Sequence, residues 1–362
     1  ATPAARAAES IAEGRYFEPL EIPGVDAGER VARWDGEKLV AVPSQGIAGD
    51  GRRVLVLGES LGGPDDGRSS ARAEVRARDP LTRDSGYLYV ASAASVTMAD
   101  GGPDGITADA GRIRGRCYAV EFDREDPALF SAFAVTRECG GTGRDLLDRL
   151  VSETTVTIRG IGADLHYDRS GVHSRVIDLD AGPLRTERHI GYVVDLPFGG
   201  TSAETEQRSY FYPYHYVYPV HLALPALAGV LLGGLEIEIA TDWRADAGPF
   251  TFTHGDRPGR PLAEGEGDGA PFDGWRMSGP GGTFLNFLRL GADAPFEAFV
   301  RNAPAPDGLR RVGFVLRSKR TFGVEAWDAL STTIVPRAGD DRGPAAFQAL
   351  LDHPLEVEVH PR

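Results

Sequence analysis

The chain has 362 residues, with 53 Asp and Glu against 39 Lys and Arg, for a formal net charge of -14. Its basic residues are almost all arginine, since Lys38 and Lys319 are its lysines. An acidic chain with no basic block repels phosphate, which argues against nucleic acid and anionic lipid as partners.

Hydrophobic residues make up 41% of the chain, so a large core is within reach, while 46 Gly and 25 Pro favour many turns and short regular elements. Ala4 to Glu13 reads as a short helix or a loose leader. Leu39 to Pro43 and Arg53 to Leu57 are short apolar runs on either side of the turn-forming Gly49-Asp50-Gly51. Gly58-Glu59-Ser60-Leu61-Gly62 fits the G-x-S-x-G pattern of a hydrolase nucleophile elbow. The chain continues Gly63-Pro64-Asp65-Asp66-Gly67, however, where that motif needs a helix, so Ser60 reads as a turn serine.

Gly86 to Ser95 and Cys117 to Phe122 read as strands. Asp126 to Phe133 reads as a brief helix with Asp126 as N-cap and Pro127 at N1, and Asp145 to Leu150 as a second one. From Thr154 strands follow one another, through Val156 to Arg159, Gly171 to Leu179, Leu184 to Val194, Tyr210 to Val220 and Leu235 to Ile239. Further strands follow at Thr283 to Leu290, Phe296 to Val300, Arg311 to Leu316 and Leu355 to Val359, with a helical turn at Ala345 to Leu351 before the last. The run His221 to Ile239 is the most apolar, but Pro225 and several glycines break it, so no transmembrane segment is expected. The fold class is all-β: a large antiparallel β-sandwich, or two stacked β-sandwiches, with a few short helices. The weakest joint lies at Gly140 to Gly143, separating an N-terminal β-rich region, 1–143, from a C-terminal β-sandwich region, 144–362.

The stretch Ser209 to Leu222 has a tyrosine at every second position: Tyr210, Tyr212, Tyr214, Tyr216 and Tyr218. One extended strand would line up these five phenols on a single face, with His215 on the other. Such a face is either an aromatic platform for a sugar ring or the covered side of an edge strand. Tyrosine, histidine and arginine together are a minimal kit for β-elimination on a uronic-acid polymer. Arginine neutralises the carboxylate, one group takes the α-proton, and another protonates the leaving oxygen. Tyr214, His215, Arg188 and His166 are the candidates for those roles. Tyr210, Tyr212, Tyr216, Tyr218 and Trp275 are the candidates for stacking on the sugar.

Six of the eight histidines fall between residues 160 and 260 without metal-ligand spacing, so a metal site is not assignable. The Asp-rich loops at Asp65-Asp66, Asp100 to Asp109, Glu264 to Asp268 and Asp340-Asp341 make a structural calcium the one cofactor to look for, although none has the spacing of a known calcium loop. Cys117 and Cys139 can close a single disulfide. With a start, Ala-Thr-Pro-Ala-Ala, like that left by signal-peptide cleavage, this points to an extracellular, periplasmic or cell-envelope location. Two functional readings follow. One is an exported carbohydrate-active protein that binds a polysaccharide or glycan, with lyase-type cleavage. The other is a non-catalytic envelope or assembly subunit that docks a protein partner through an aromatic β face.

Overall fold

Thr2 starts the first element: its Oγ1 accepts from the Ala5 amide at 3.2 Å, and Pro3 follows at the position where a missing N–H costs nothing. The resulting helix, α1 (Pro3–Gly14), buries Ala8 and Ile11. The computed structural model describes residues 2–47, 50–98, 105–128, 130–147, 156–160, 163–167, 172–195, 202–223, 235–244, 247–254, 257–261, 274–290, 294, 296–318 and 326–362.

After α1 come β1 (Pro19–Pro23), β2 (Glu29–Trp34), β3 (Leu39–Ala41), β4 (Gln45–Ile47), β5 (Asp50–Leu57), β6 (Ala73–Arg78) and β7 (Ser85–Ser92). Next are β8 (Thr107–Asp109), β9 (Arg112–Arg114), β10 (Tyr118–Phe122), β11 (Phe130–Val135), β12 (Val156–Gly160), β13 (Ala163–Tyr167), β14 (Val172–Ala181), β15 (Thr186–Asp195), β16 (Ser202–Phe211) and β17 (His215–Ala223). They are followed by β18 (Leu235–Trp243), β19 (Phe250–His254), β20 (Arg257–Pro261), β21 (Gly274–Gly279), β22 (Gly282–Leu290), β23 (Phe296–Pro304), β24 (Arg310–Ser318) and β25 (Ala326–Ile334). The chain ends with helix α2 (Pro344–Asp352) and β26 (Glu356–Pro361). The protein is thus all-β, built of antiparallel sheets with two α-helices among the described residues. None of the described helices is long and apolar enough to cross a membrane.

The chain divides into two units. The first comprises residues 1–106, 182–185 and 348–362, and the second 107–181 and 186–347; Gly140 to Gly143 lies inside the second. In the first unit a three-stranded sheet, β1-β5-β4, and a five-stranded sheet, β26-β6-β7-β2-β3, enclose a core that includes Ile11, Ile22, Val56, Val75, Leu88 and Val90. Gly58 to Ser60 forms a single 3-10 turn with Ser60 buried. A Cβ at Gly58 would overlap the Arg15 carbonyl, so close packing explains this glycine and Ser60 is indeed a turn residue. Asp65 also serves a turn, accepting from the amides of Gly67 at 2.9 Å and Arg68 at 3.1 Å and pairing with Arg362 at 2.6 Å. Burial would raise its pKa, but hydrogen bonds from Ser69 and Arg362 outweigh it and hold the carboxyl at about 2.

The second unit has sheets of four strands (β11-β10-β9-β8), five strands (β13-β12-β18-β24-β23) and nine strands (β14-β15-β16-β17-β25-β22-β21-β19-β20). Aromatic rings join them. Phe133 of β11 lies 6.0 Å from Trp243 of β18 and 5.0 Å from Phe284 of β22, centroid to centroid. Two helix expectations are corrected here. Phe130 onward is strand β11, because its alternate residues Phe133 and Val135 are buried against the other sheets. Leu147, in the second expected helix, instead bridges to Trp243; residues 148–150 lie outside the described part.

Candidate functional site

The expected strand Tyr210 to Val220 is two strands. Pro213 cannot donate to a sheet ladder, and the chain turns there. The Tyr212 amide donates to the His215 carbonyl at 2.8 Å, closing a tight hairpin between β16 and β17. The register pairs Tyr210 with Val217 and Phe211 with Tyr216. Opposed residues share a face, so Tyr210 and Tyr216 point to opposite sides of the sheet. The single face of five phenols is therefore corrected: Tyr214 and Tyr216 are buried, while Tyr210, Tyr212 and Tyr218 are half-buried.

The hairpin turn is pinned from two directions. Pro213 O accepts from the Arg116 amide at 2.8 Å and the Cys117 amide at 3.1 Å, and Tyr214 O accepts from the Val335 amide at 2.8 Å. Beneath it, the Tyr118 hydroxyl donates to Tyr212 O at 2.8 Å, and burial pushes that phenol's pKa well up. These contacts place the Tyr214 side chain between two arginines. Its hydroxyl accepts from Arg116 Nη1 at 2.9 Å and from Arg337 Nε and Nη2 at 3.1 and 2.5 Å. The Arg337 guanidinium carbon also lies 4.8 Å from the Tyr214 ring centroid.

Arg116 and Glu138 flank the Cys117–Cys139 disulfide, and Arg116 Nε donates to Glu138 Oε1 at 2.5 Å. Burial would lower the Arg116 pKa; the Glu138 hydrogen bond and the nearby Tyr214 outweigh it and raise the pKa instead. The Arg116 side chain keeps 30% of its exposure, and Arg337 is half-buried. Asp340, close by in sequence, is paired with Arg342 at 2.6 Å. A partly exposed guanidinium pair of this kind suits a carboxylate or sulfate, which it meets with charge-assisted hydrogen bonds.

The other candidates have different surroundings. His215 is 4% exposed, with Tyr212 stacked on it at 4.4 Å, and burial pushes its pKa down to about 3. Arg188 is 1% exposed, its guanidinium carbon 3.6 Å above the Phe122 ring and its Nη1 donating to Pro127 O. Its partners differ from those of Tyr214, so the structure does not join the two in one site. His166 lies in β13 opposite Thr157, and Trp275 in β21 opposite Phe252; their side chains lie outside the described part. Among the described residues no group of three His, Cys, Asp or Glu is arranged to hold a metal, and the acidic loop at 264–268 is not described. Sequence reading missed Arg116 and Arg337. The one available signal was the adjacency of Arg116 to Cys117.

No protein-family model matches the chain, and no curated protein matches its sequence. Its fold is similar to part of an alpha-mannosidase from Enterococcus faecalis V583, with a TM-score of 0.51 and 10% identity over 96% of this chain. A protein in the glycosyl hydrolase family 38 from Enterococcus faecalis aligns with a TM-score of 0.45 and 9% identity over 99% of this chain. The chain spans 45% and 44% of the lengths of these two proteins.

Proposed function

We propose that this chain is a glycan-binding β domain of an exported carbohydrate-active protein, and that it meets an acidic sugar at Arg116, Arg337 and the Tyr214 turn. The observation that carries this reading is the convergence of two partly exposed guanidiniums on one phenol. Guanidiniums meet a uronate carboxylate or a sugar sulfate with charge-assisted hydrogen bonds. Tyr212, half-buried in the same turn with one ring face stacked on His215, is the aromatic candidate for a pyranose face. The likeness of fold to part of an alpha-mannosidase supports a carbohydrate setting. The disulfide supports export, since such bonds persist in oxidising compartments.

Binding is better supported than lyase-type cleavage. Proton abstraction needs a base that the substrate can reach, and both Tyr214 and His215 are buried. Docking of a protein partner through the tyrosine face is weakened by the same burial. The reading is tested by titrating the chain with a panel of acidic and neutral polysaccharides at low and moderate salt. Binding to uronate- or sulfate-bearing polymers that weakens with salt is the expected result. Equal affinity for neutral polymers, or no binding to any member, would remove the reading.

A further inference from the structure

A second cationic feature lies in the interior of the second unit. Arg188 on β15 is directly opposite Ser209 on β16, and Ile190 is opposite Gln207. Opposed residues share a face, so Thr186, Arg188, Gln207 and Ser209 all project from the same side of the sheet. Arg188 Nε and Nη2, Gln207 Nε2, Ser209 Oγ and Thr186 Oγ1 are buried and have no protein hydrogen-bond partner among the described residues. The Phe122 ring covers the guanidinium, and the carbonyl of Pro127 takes its Nη1. The Gln207 carbonyl oxygen is already used by the Tyr192 hydroxyl at 2.8 Å, and the Tyr218 hydroxyl is directed to Ala128 O at 2.7 Å. Asp126, in the covering loop, accepts from Ser174 Oγ and from the Ala128 amide. A bulge in β14 at Val176 to Asp178 distorts the neighbouring strand next to this cluster.

A buried cation whose neighbours are hydrogen-bond donors is costly unless a negative charge lies beside it. Burial lowers the pKa of Arg188 to about 10, against smaller opposing effects of Tyr218 and Tyr192, and at neutral pH the group still carries its charge. A water molecule can accept from N–H groups and donate to a hydroxyl, but it brings no charge to offset the guanidinium.

We propose that Arg188, Ser209 and Gln207 form an internal binding site for a halide-sized anion, chloride being the physiological species. The anion accepts from the guanidinium, the Gln207 amide and the Ser209 hydroxyl, neutralises Arg188, and ties β15 to β16 beneath the Phe122 cover. Its role is to stabilise the fold, so it is independent of any sugar at Arg116 and Arg337.

The test compares melting temperatures in sodium chloride and sodium gluconate at equal ionic strength, together with diffraction from crystals soaked in sodium bromide. Expected are a higher melting temperature in chloride and an anomalous bromide peak beside Arg188 Nε and Ser209 Oγ. Arg188→Met should abolish the chloride dependence. Ser209→Ala, which keeps the charge and removes little volume, should reduce it and covers the case in which the arginine variant fails to fold. Equal melting in both salts with ordered water at this position would overturn the proposal. So would a chloride dependence that Ser209→Ala leaves unchanged.

Discussion

Arg116 and Glu138 each adjoin a cysteine of the Cys117–Cys139 disulfide, and their side chains meet at 2.5 Å. The covalent bridge thus fixes the base of an ion pair, and through Arg116 it fixes one of the two guanidiniums on Tyr214. The bond closes a loop with a sequence separation of 22 residues. Removing it by the double change Cys117→Ser and Cys139→Ser should cost about 3 kcal/mol on the loop-entropy scale. Chemical denaturation of the variant and of the parent chain measures this directly. Acidic-glycan binding should weaken in the same variant, because Arg116 loses its anchor.

Tyr214→Phe keeps the buried ring and removes the acceptor shared by Arg116 and Arg337. Hydrogen bonds to charged groups contribute about 2 kcal/mol each, but these arginines can turn to water, so a total loss of about 2 kcal/mol is expected. The loss should appear as a lower denaturation midpoint with an unchanged slope.

His215 makes stability depend on pH. Its ordinary pKa of 6.5 is lowered by burial to about 3 in the folded chain. The unfolded chain therefore takes up a proton that the folded chain refuses. This contribution is fully present above the unfolded value and is lost as pH falls from 6.5 towards 3, with a slope of up to about 1.4 kcal/mol per pH unit. Replacing His215 by Phe, which retains a ring against Tyr212, should flatten the stability curve in that window. Parallel curves for the two proteins would contradict the assignment.

In the first unit Arg15 is 1% exposed and is held by Asp79 at 2.6 Å, Glu18 at 3.1 Å and the carbonyls of Leu350 and His353 at 3.0 and 2.8 Å. Burial raises the Glu18 pKa despite the neighbouring arginine. Asp79→Ala strips Arg15 of its shorter ion pair and leaves a buried cation short of charge, which should cost about 3 to 5 kcal/mol. Circular dichroism during a urea melt would register this as early loss of strand signal.

Much of the fold was legible because its strands alternate. Ser85–Ser92, Tyr118–Phe122 and Thr186–Asp195 overlap the strands expected at Gly86 to Ser95, Cys117 to Phe122 and Leu184 to Val194, although Ala93–Ser95 is a 3-10 turn, and both helices lie close to expected helical segments. The tyrosine stretch misled for a physical reason. Spacing by two survives a tight turn, but the β16–β17 register pairs even-numbered with odd-numbered residues, so the tyrosines on the two arms face opposite ways. Residues 126 to 133 misled because a good N-cap is a local signal, while burial of Phe133 and Val135 against other sheets is a tertiary one. Arg116 and Arg337 are far apart in sequence and meet only on folding, and no periodicity marks such a pair.

The most direct measurement is a calorimetric titration of a uronate-bearing oligosaccharide into the chain and into the variants Arg337→Met and Arg116→Met. The account predicts binding to the parent chain that weakens about tenfold or more in each variant, as expected for the loss of one charge-assisted contact, with far-UV circular dichroism unchanged. Affinity that is the same in all three proteins would place the sugar elsewhere and contradict the assignment of this site.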